Sequence, residues 1–161
     1  MKYLISLLRV ACMGVLFVLV LTVLWGWITR EFGNQARWSE ELARLLLVWL
    51  SLLGAALAYA DRAHLGIDLL TGRFDAGTAR LAALFGHAAT AVFGLVVLLI
   101  GGGELAWERW QSGQLLASLQ IPKAWMYVAV PLSGLAFVAL ALAFFRETWV
   151  SHPAKEKEHR A

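Results

Sequence analysis

The chain has 161 residues, 60% of them hydrophobic and 16% charged, with a mean hydropathy of +0.68. A soluble domain is roughly 45–50% apolar, so the composition indicates a membrane protein, and the connectors between apolar runs are too short for a packed extramembrane core. The formal net charge of +3 calls for no nucleic acid, since the bias of basic residues toward the cytoplasmic side of a membrane accounts for it.

Four apolar runs, about 4–28, 42–60, 79–103 and 125–145, each approach the ~20 residues that cross ~30 Å of hydrocarbon. The sequence therefore predicts an all-α integral membrane protein: one four-helix transmembrane domain over 1–150, with short interfacial helical segments. The remaining 151–161, "SHPAKEKEHRA", read as a disordered cytoplasmic tail. The first run follows Lys2 but far exceeds the 7–15 apolar residues of a signal peptide and ends in "LWGWITREFG" without a small-x-small cleavage site, so it is expected to be retained. Cys12 stands alone within it, which leaves no disulfide or thiolate cluster. Tryptophans 25, 27, 38, 107, 110, 125 and 149 fall at or beside helix ends, where indole prefers the headgroup layer. Trp49 lies deep and is expected to pack against a helix or lipid tail.

The second run opens with charge. Ser39 is a suitable N-cap, Glu40 and Glu41 favour the positive end of the helix dipole, and Arg44 can meet both on one face. This cluster reads either as a self-neutralising cap whose arginine snorkels outward or as a docking point for another membrane subunit. At the other end His64 and Asp68 share a helical face, with Asp61 three residues before His64. An interfacial helix turn fits them better than a metal site. "LTGRFDAGTAR" then reads as a turn-rich connector.

In the third run Ala82, Gly86, Thr90 and Gly94 form a small-residue stripe suited to close helix packing, in this chain or with another. His87 is the ionisable group within that span; a hydrogen bond to backbone or a loop carboxylate is its plain reading. The helix is expected to continue as an amphipathic extension through Glu104–Trp110 and to stop at Gly113, with "LLASLQ" lying along the interface. Pro122 is expected to start the fourth helix, and Pro131 to kink it, with Gly134 easing the bend.

With the N-terminus inside, nine basic residues are cytoplasmic (Lys2, Arg9, Arg62, Arg73, Arg80, Arg146, Lys155, Lys157, Arg160) against five outside (Arg30, Arg37, Arg44, Arg109, Lys123), so both termini are expected in the cytoplasm.

The segments "EELARLLLVWLSLLGAALAYADRAHLGIDLL" and "LQIPKAWMYVAVPLSG", in that order and spacing, resemble the small membrane subunit of tripartite ATP-independent periplasmic (TRAP) transporters. The resemblance extends over essentially all four spans. It implies a multi-pass protein of the bacterial inner membrane. Its expected partners are a large multi-span subunit that holds the organic-acid and Na⁺ sites, a periplasmic substrate-binding protein and membrane lipids. The small subunit would be a fixed brace with no cofactor of its own. Carried onto this chain, Glu40, Glu41 and Arg44 are a structural charge cluster, His64 and Asp68 a loop signature, and Pro122, Trp125, Tyr127 and Pro131 a fourth-helix signature. None is a catalytic, metal or substrate ligand. The residues agree by another route, because mid-span positions are almost all Leu, Val, Ala, Phe and Gly, whereas transporter sites need polar groups near the midplane. A small multidrug exporter would need a carboxylate in the first span, which 4–28 lacks. A membrane-anchor subunit of a respiratory or redox complex, using His87 with quinone or haem, is the alternative, although haem ligation by two histidines lacks a second histidine at that depth.

Overall fold

The computed structural model describes residues 2–33, 36–71 and 76–150. Its helices are α1 (Lys2–Glu31), α2 (Arg37–Thr71), α3 (Ala76–Phe93), a π-helical segment (Gly94–Gly101), α4 (Gly102–Gln111) and α5 (Ala124–Val150). The third span comprises α3, the π segment and α4, so four helical spans are long and apolar enough to cross a membrane. The four apolar runs of the sequence lie within these four spans. The segment 151–161, read above as a tail, lies outside the described residues, as does much of the connector before α3.

The helices assemble around α5, which packs on α2 and along the whole third span, while α1 lies against α2 and α2 only brushes α3. Small side chains explain this central place: Ala124, Ala129, Ser133, Gly134, Ala136 and Ala141 of α5 are all buried, letting neighbouring backbones approach. Leu8 and Cys12 of α1, Leu53, Ala56 and Ala60 of α2, and Ala136, Leu140 and Phe144 of α5 form one continuous core. Arg9 pairs with Asp61 at 3.3 Å where the start of α1 meets the middle of α2. Both side chains are more than half exposed, and such a pair contributes only about 0.2–1 kcal/mol. Large apolar side chains such as Phe17, Leu24, Phe85 and Val92 point outward, as they do in a protein solvated by lipid.

The eight-residue π segment replaces the regular helix expected in the third span. Gly102 N–H reaches the carbonyl of Val97, five residues back, which widens the coil. That coil presses on α5 at Gly134, where an added Cβ would fall 2.8 Å from Leu99 N and 3.0 Å from Gly94 O. Gly134 thus serves close approach between the two spans. Pro131 does lie inside α5, one turn before this contact, and lacks the N–H that would bond the Tyr127 carbonyl.

Two helix starts differ from the sequence reading. Ser39 is not the cap of α2, which begins at Arg37; its buried hydroxyl donates back to the Ala36 carbonyl at 2.7 Å. Pro122 precedes α5 rather than opening it, bridging to Leu115 and offering its carbonyl to Trp125 N at 3.1 Å. Gly113 ends the third span as expected: at φ +62 it takes the left-handed conformation that closes a helix.

Candidate functional site

Residues 112–123 join α4 to α5 at the end of the bundle where α1 hands over to α2. The segment folds back on itself: Leu116 N–H donates to Ile121 O, Gln120 N–H to Leu116 O, and Lys123 N–H to Gln114 O, all within 2.8–2.9 Å. Leu116 is buried beneath the turn. These bonds leave the amides of Ser118 and Leu119 at the tip in need of an acceptor.

Glu41 supplies it. Ser118 N–H donates to both carboxylate oxygens, at 3.2 and 3.0 Å, and Leu119 N–H donates to Oε2 at 3.1 Å. Standing in the second turn of α2, the carboxylate receives charge-assisted bonds from a loop 77 residues away. A short apolar turn thereby becomes a fixed feature of the bundle's end. The three charges singled out in the sequence do not converge. Glu40 and Arg44 are exposed, and among the described residues no ion pair joins Arg44 to either glutamate.

The fourth-helix signature residues meet the other spans. Trp49 Nε1 of α2 donates to the backbone carbonyl of Trp125 at 3.0 Å, so this deep indole ties two helices together as well as packing. The Arg109 guanidinium of α4 lies over the Tyr127 ring, 5.7 Å from its centre, with Nε buried and without an acceptor among the described residues. That cation–π contact gives the guanidinium an aromatic face to rest on.

Deeper in the bundle His87 of α3 is 7% exposed, and its Nδ1 lies 2.7 Å from the Tyr59 hydroxyl of α2. The plain reading of His87 is therefore corrected in detail: its partner is a phenol from another span rather than backbone or a loop carboxylate. The Thr90 side chain also lies within reach of that phenol, and Phe137 and Phe144 of α5 close around the pair. Of the small-residue stripe, Gly94 packs against Phe137 and Val138 of α5. Ala82 and Gly86 are exposed, and Thr90 is half-buried with its hydroxyl bonded to Gly86 O. His64 and Asp68 fall on the continuous helical backbone of α2, and their side chains lie outside the described residues.

Neither Tyr59 nor the Ser118 and Leu119 amides stood out in sequence reasoning. Tyr59 reads as one more apolar aromatic, and an amide carries no residue signature.

Residues 4–151 match the family described as "Tripartite ATP-independent periplasmic transporters, DctQ component". Two curated proteins are similar. The C4-dicarboxylate TRAP transporter small permease protein DctQ of Rhodobacter capsulatus is 30% identical over 125 residues, covering 74% of this chain and 54% of that protein. The sialic acid TRAP transporter small permease protein SiaQ of Vibrio cholerae serotype O1 is 27% identical over 106 residues, covering 66% and 60%. The alignments thus take in little more than half the length of either relative.

Proposed function

The chain belongs to the DctQ component family of TRAP transporters, and from that premise we propose how it works: as a brace for a larger membrane subunit that moves the solute. The observation that carries this reading is the use made of the polar groups inside the bundle. The Thr22 and Ser133 hydroxyls bond carbonyls of their own helices, Tyr59 engages His87, and Trp49 engages the Trp125 carbonyl. Each serves the chain's own architecture, as do Ser51 and Thr90, whose hydroxyls bond the Val48 and Gly86 carbonyls of their own helices. A secondary transporter needs polar groups turned toward a midplane cavity.

In this reading the large subunit holds the solute and Na⁺ sites, and a periplasmic binding protein delivers the solute. The small chain sits in the bacterial inner membrane with both termini in the cytoplasm. C4-dicarboxylate and sialic acid, named for the two relatives, are both carboxylic acids, which supports an organic acid as cargo here. Family membership gives no support to the redox-anchor alternative, and His87 already has a phenol partner.

Affinity purification of the tagged chain from membranes that also hold the large subunit tests the brace. Recovery of a stable stoichiometric pair is expected. Purification of the small chain alone, with the large subunit left in the flow-through, would contradict it.

A further inference from the structure

The last turn of α4 carries a cation whose hydrogen-bonding capacity goes unused. Arg109 is half-buried, its side chain makes no ion pair among the described residues, and its buried Nε finds no acceptor. The Tyr127 ring, 5.7 Å away, is what engages it. The negative end of the helix dipole favours a basic residue here, but a dipole satisfies none of the N–H donors, of which arginine has more than any other side chain. Arg109 stands on the face of α4 that meets α5. Gly102, two turns earlier on that face, is buried, and an added Cβ there would fall 2.5 Å from Val130 Cγ1 of α5. Glu104 and Glu108 are exposed and turned to other sides of the helix. The loop 112–123 contains no acidic residue, and the single one in α5 is Glu147, near its far end. Glu41, which does reach the loop, is taken by the Ser118 and Leu119 amides. Lys123, four residues before Tyr127, is exposed and also without an ion pair among the described residues. The seam between α4 and α5 thus ends in positive charge that this chain does not answer.

We infer that Arg109 holds the phosphate of one anionic glycerophospholipid, of the phosphatidylglycerol type, at this end of the seam. Trp107 and Trp110, 63% and 54% exposed, flank Arg109 in sequence, and exposed indoles settle among the headgroups. The guanidinium is therefore held at the depth where lipid phosphates lie. With Nε enclosed, a ligand meets the two terminal nitrogens, whose planar fork matches phosphate oxygens. The Tyr127 ring orients that fork in advance, which lowers the cost of ordering it on binding. Lys123 adds a second positive charge at the start of α5 and favours a headgroup with net negative charge. An ethanolamine headgroup would instead bring an ammonium toward two cations, with no carboxylate from α5 or the loop to receive it. This inference rests on the membrane-spanning fold alone and stands whether or not the chain acts as a brace.

Native mass spectrometry of the full chain, released from micelles containing equal phosphatidylglycerol and phosphatidylethanolamine, reads the site directly. One bound phosphatidylglycerol is expected, retained over phosphatidylethanolamine by about fivefold. Arg109→Gln should lower its retention by about fivefold, with circular dichroism confirming that helicity is kept. Arg109→Lys, which keeps the charge without the fork, should fall in between. Lys123→Gln should shrink the preference over phosphatidylethanolamine. Arg30→Gln removes one exposed positive charge at the same end of the bundle and should change neither retention nor preference. If Arg109→Gln loses helicity, Arg109→Lys and Lys123→Gln decide the matter. Equal retention of the two lipids by the unaltered chain would overturn the assignment, as would an equal fall in Arg30→Gln and Arg109→Gln, which would reduce the effect to net charge. Displacement of the lipid by excess inorganic phosphate would give the site to a soluble anion. Unchanged lipid retention in Arg109→Gln together with lowered recovery of the large subunit would give the guanidinium to a carboxylate of the protein partner.

Discussion

Replacing Glu41 with alanine removes the acceptor for two amides at once, Ser118 N–H at 3.0 and 3.2 Å and Leu119 N–H at 3.1 Å. A hydrogen bond to a charged group contributes about 1.5–3 kcal/mol. The tip of the loop is largely exposed, so water takes over part of what is lost and about 2 kcal/mol is the expected local cost for the pair. A factor of ten corresponds to about 1.4 kcal/mol, so hydrogen exchange at residues 118 and 119 should quicken by ~30-fold. Glu41→Gln keeps one carbonyl acceptor without the charge and should give an intermediate rise, about fivefold. The amide of Trp125, bonded to Pro122 within the same end of the bundle, should exchange at its original rate in both variants. Unchanged exchange at 118 and 119 in Glu41→Ala would refute the reasoning, because the loop would then be held by its own turn bonds alone.

Gly134→Ala should lower the thermal midpoint in detergent, since its Cβ meets the backbone of the π segment and overpacking costs about 1–3 kcal/mol, or ~2–4 °C for each kcal/mol. Gly86→Ala, with nothing within 4 Å of the added atom, should leave the midpoint in place and serves as the control. Tyr59→Phe removes the hydrogen bond to His87 and should destabilise the bundle by about 0.6–1.7 kcal/mol, measured by equilibrium unfolding in mixed micelles. A loss near zero would mean that the imidazole finds another partner. Arg44→Leu should weaken recovery of the large subunit in affinity purification more than it alters the KM for solute uptake. Unchanged recovery would count against docking through this exposed charge.

The four spans were legible because a bilayer imposes its thickness on any sequence that crosses it: about 20 apolar residues between tryptophans leave little choice. Gly113 was legible as a helix stop for an equally local reason, the left-handed turn it adopts at the end of α4. What escaped were relations between distant segments. Glu40, Glu41 and Arg44 stand at helical spacings that invite a local triad, yet Glu41 is claimed by amides 77 residues on, and nothing in "LLASLQ" marks those amides as unpaired. The π segment was hidden because "GLVVLLIG" is apolar on every side and so carries no periodicity from which to read its winding. Its backbone lies close against Gly134 of α5, a contact between distant segments that no local pattern announces. The stripe at Ala82, Gly86, Thr90 and Gly94 has the spacing of a packed face, but only Gly94 is buried within this chain, since helical spacing does not say how far along a helix its neighbour extends.

Solute uptake into proteoliposomes measures the central claim most directly. Vesicles holding the large subunit, supplied with the binding protein and a Na⁺ gradient, would be compared with and without this chain. Uptake of the organic acid is expected only when the small chain is present, with the purified small chain alone binding neither solute nor Na⁺. Full uptake in its absence, or saturable solute binding to the isolated chain, would contradict the account.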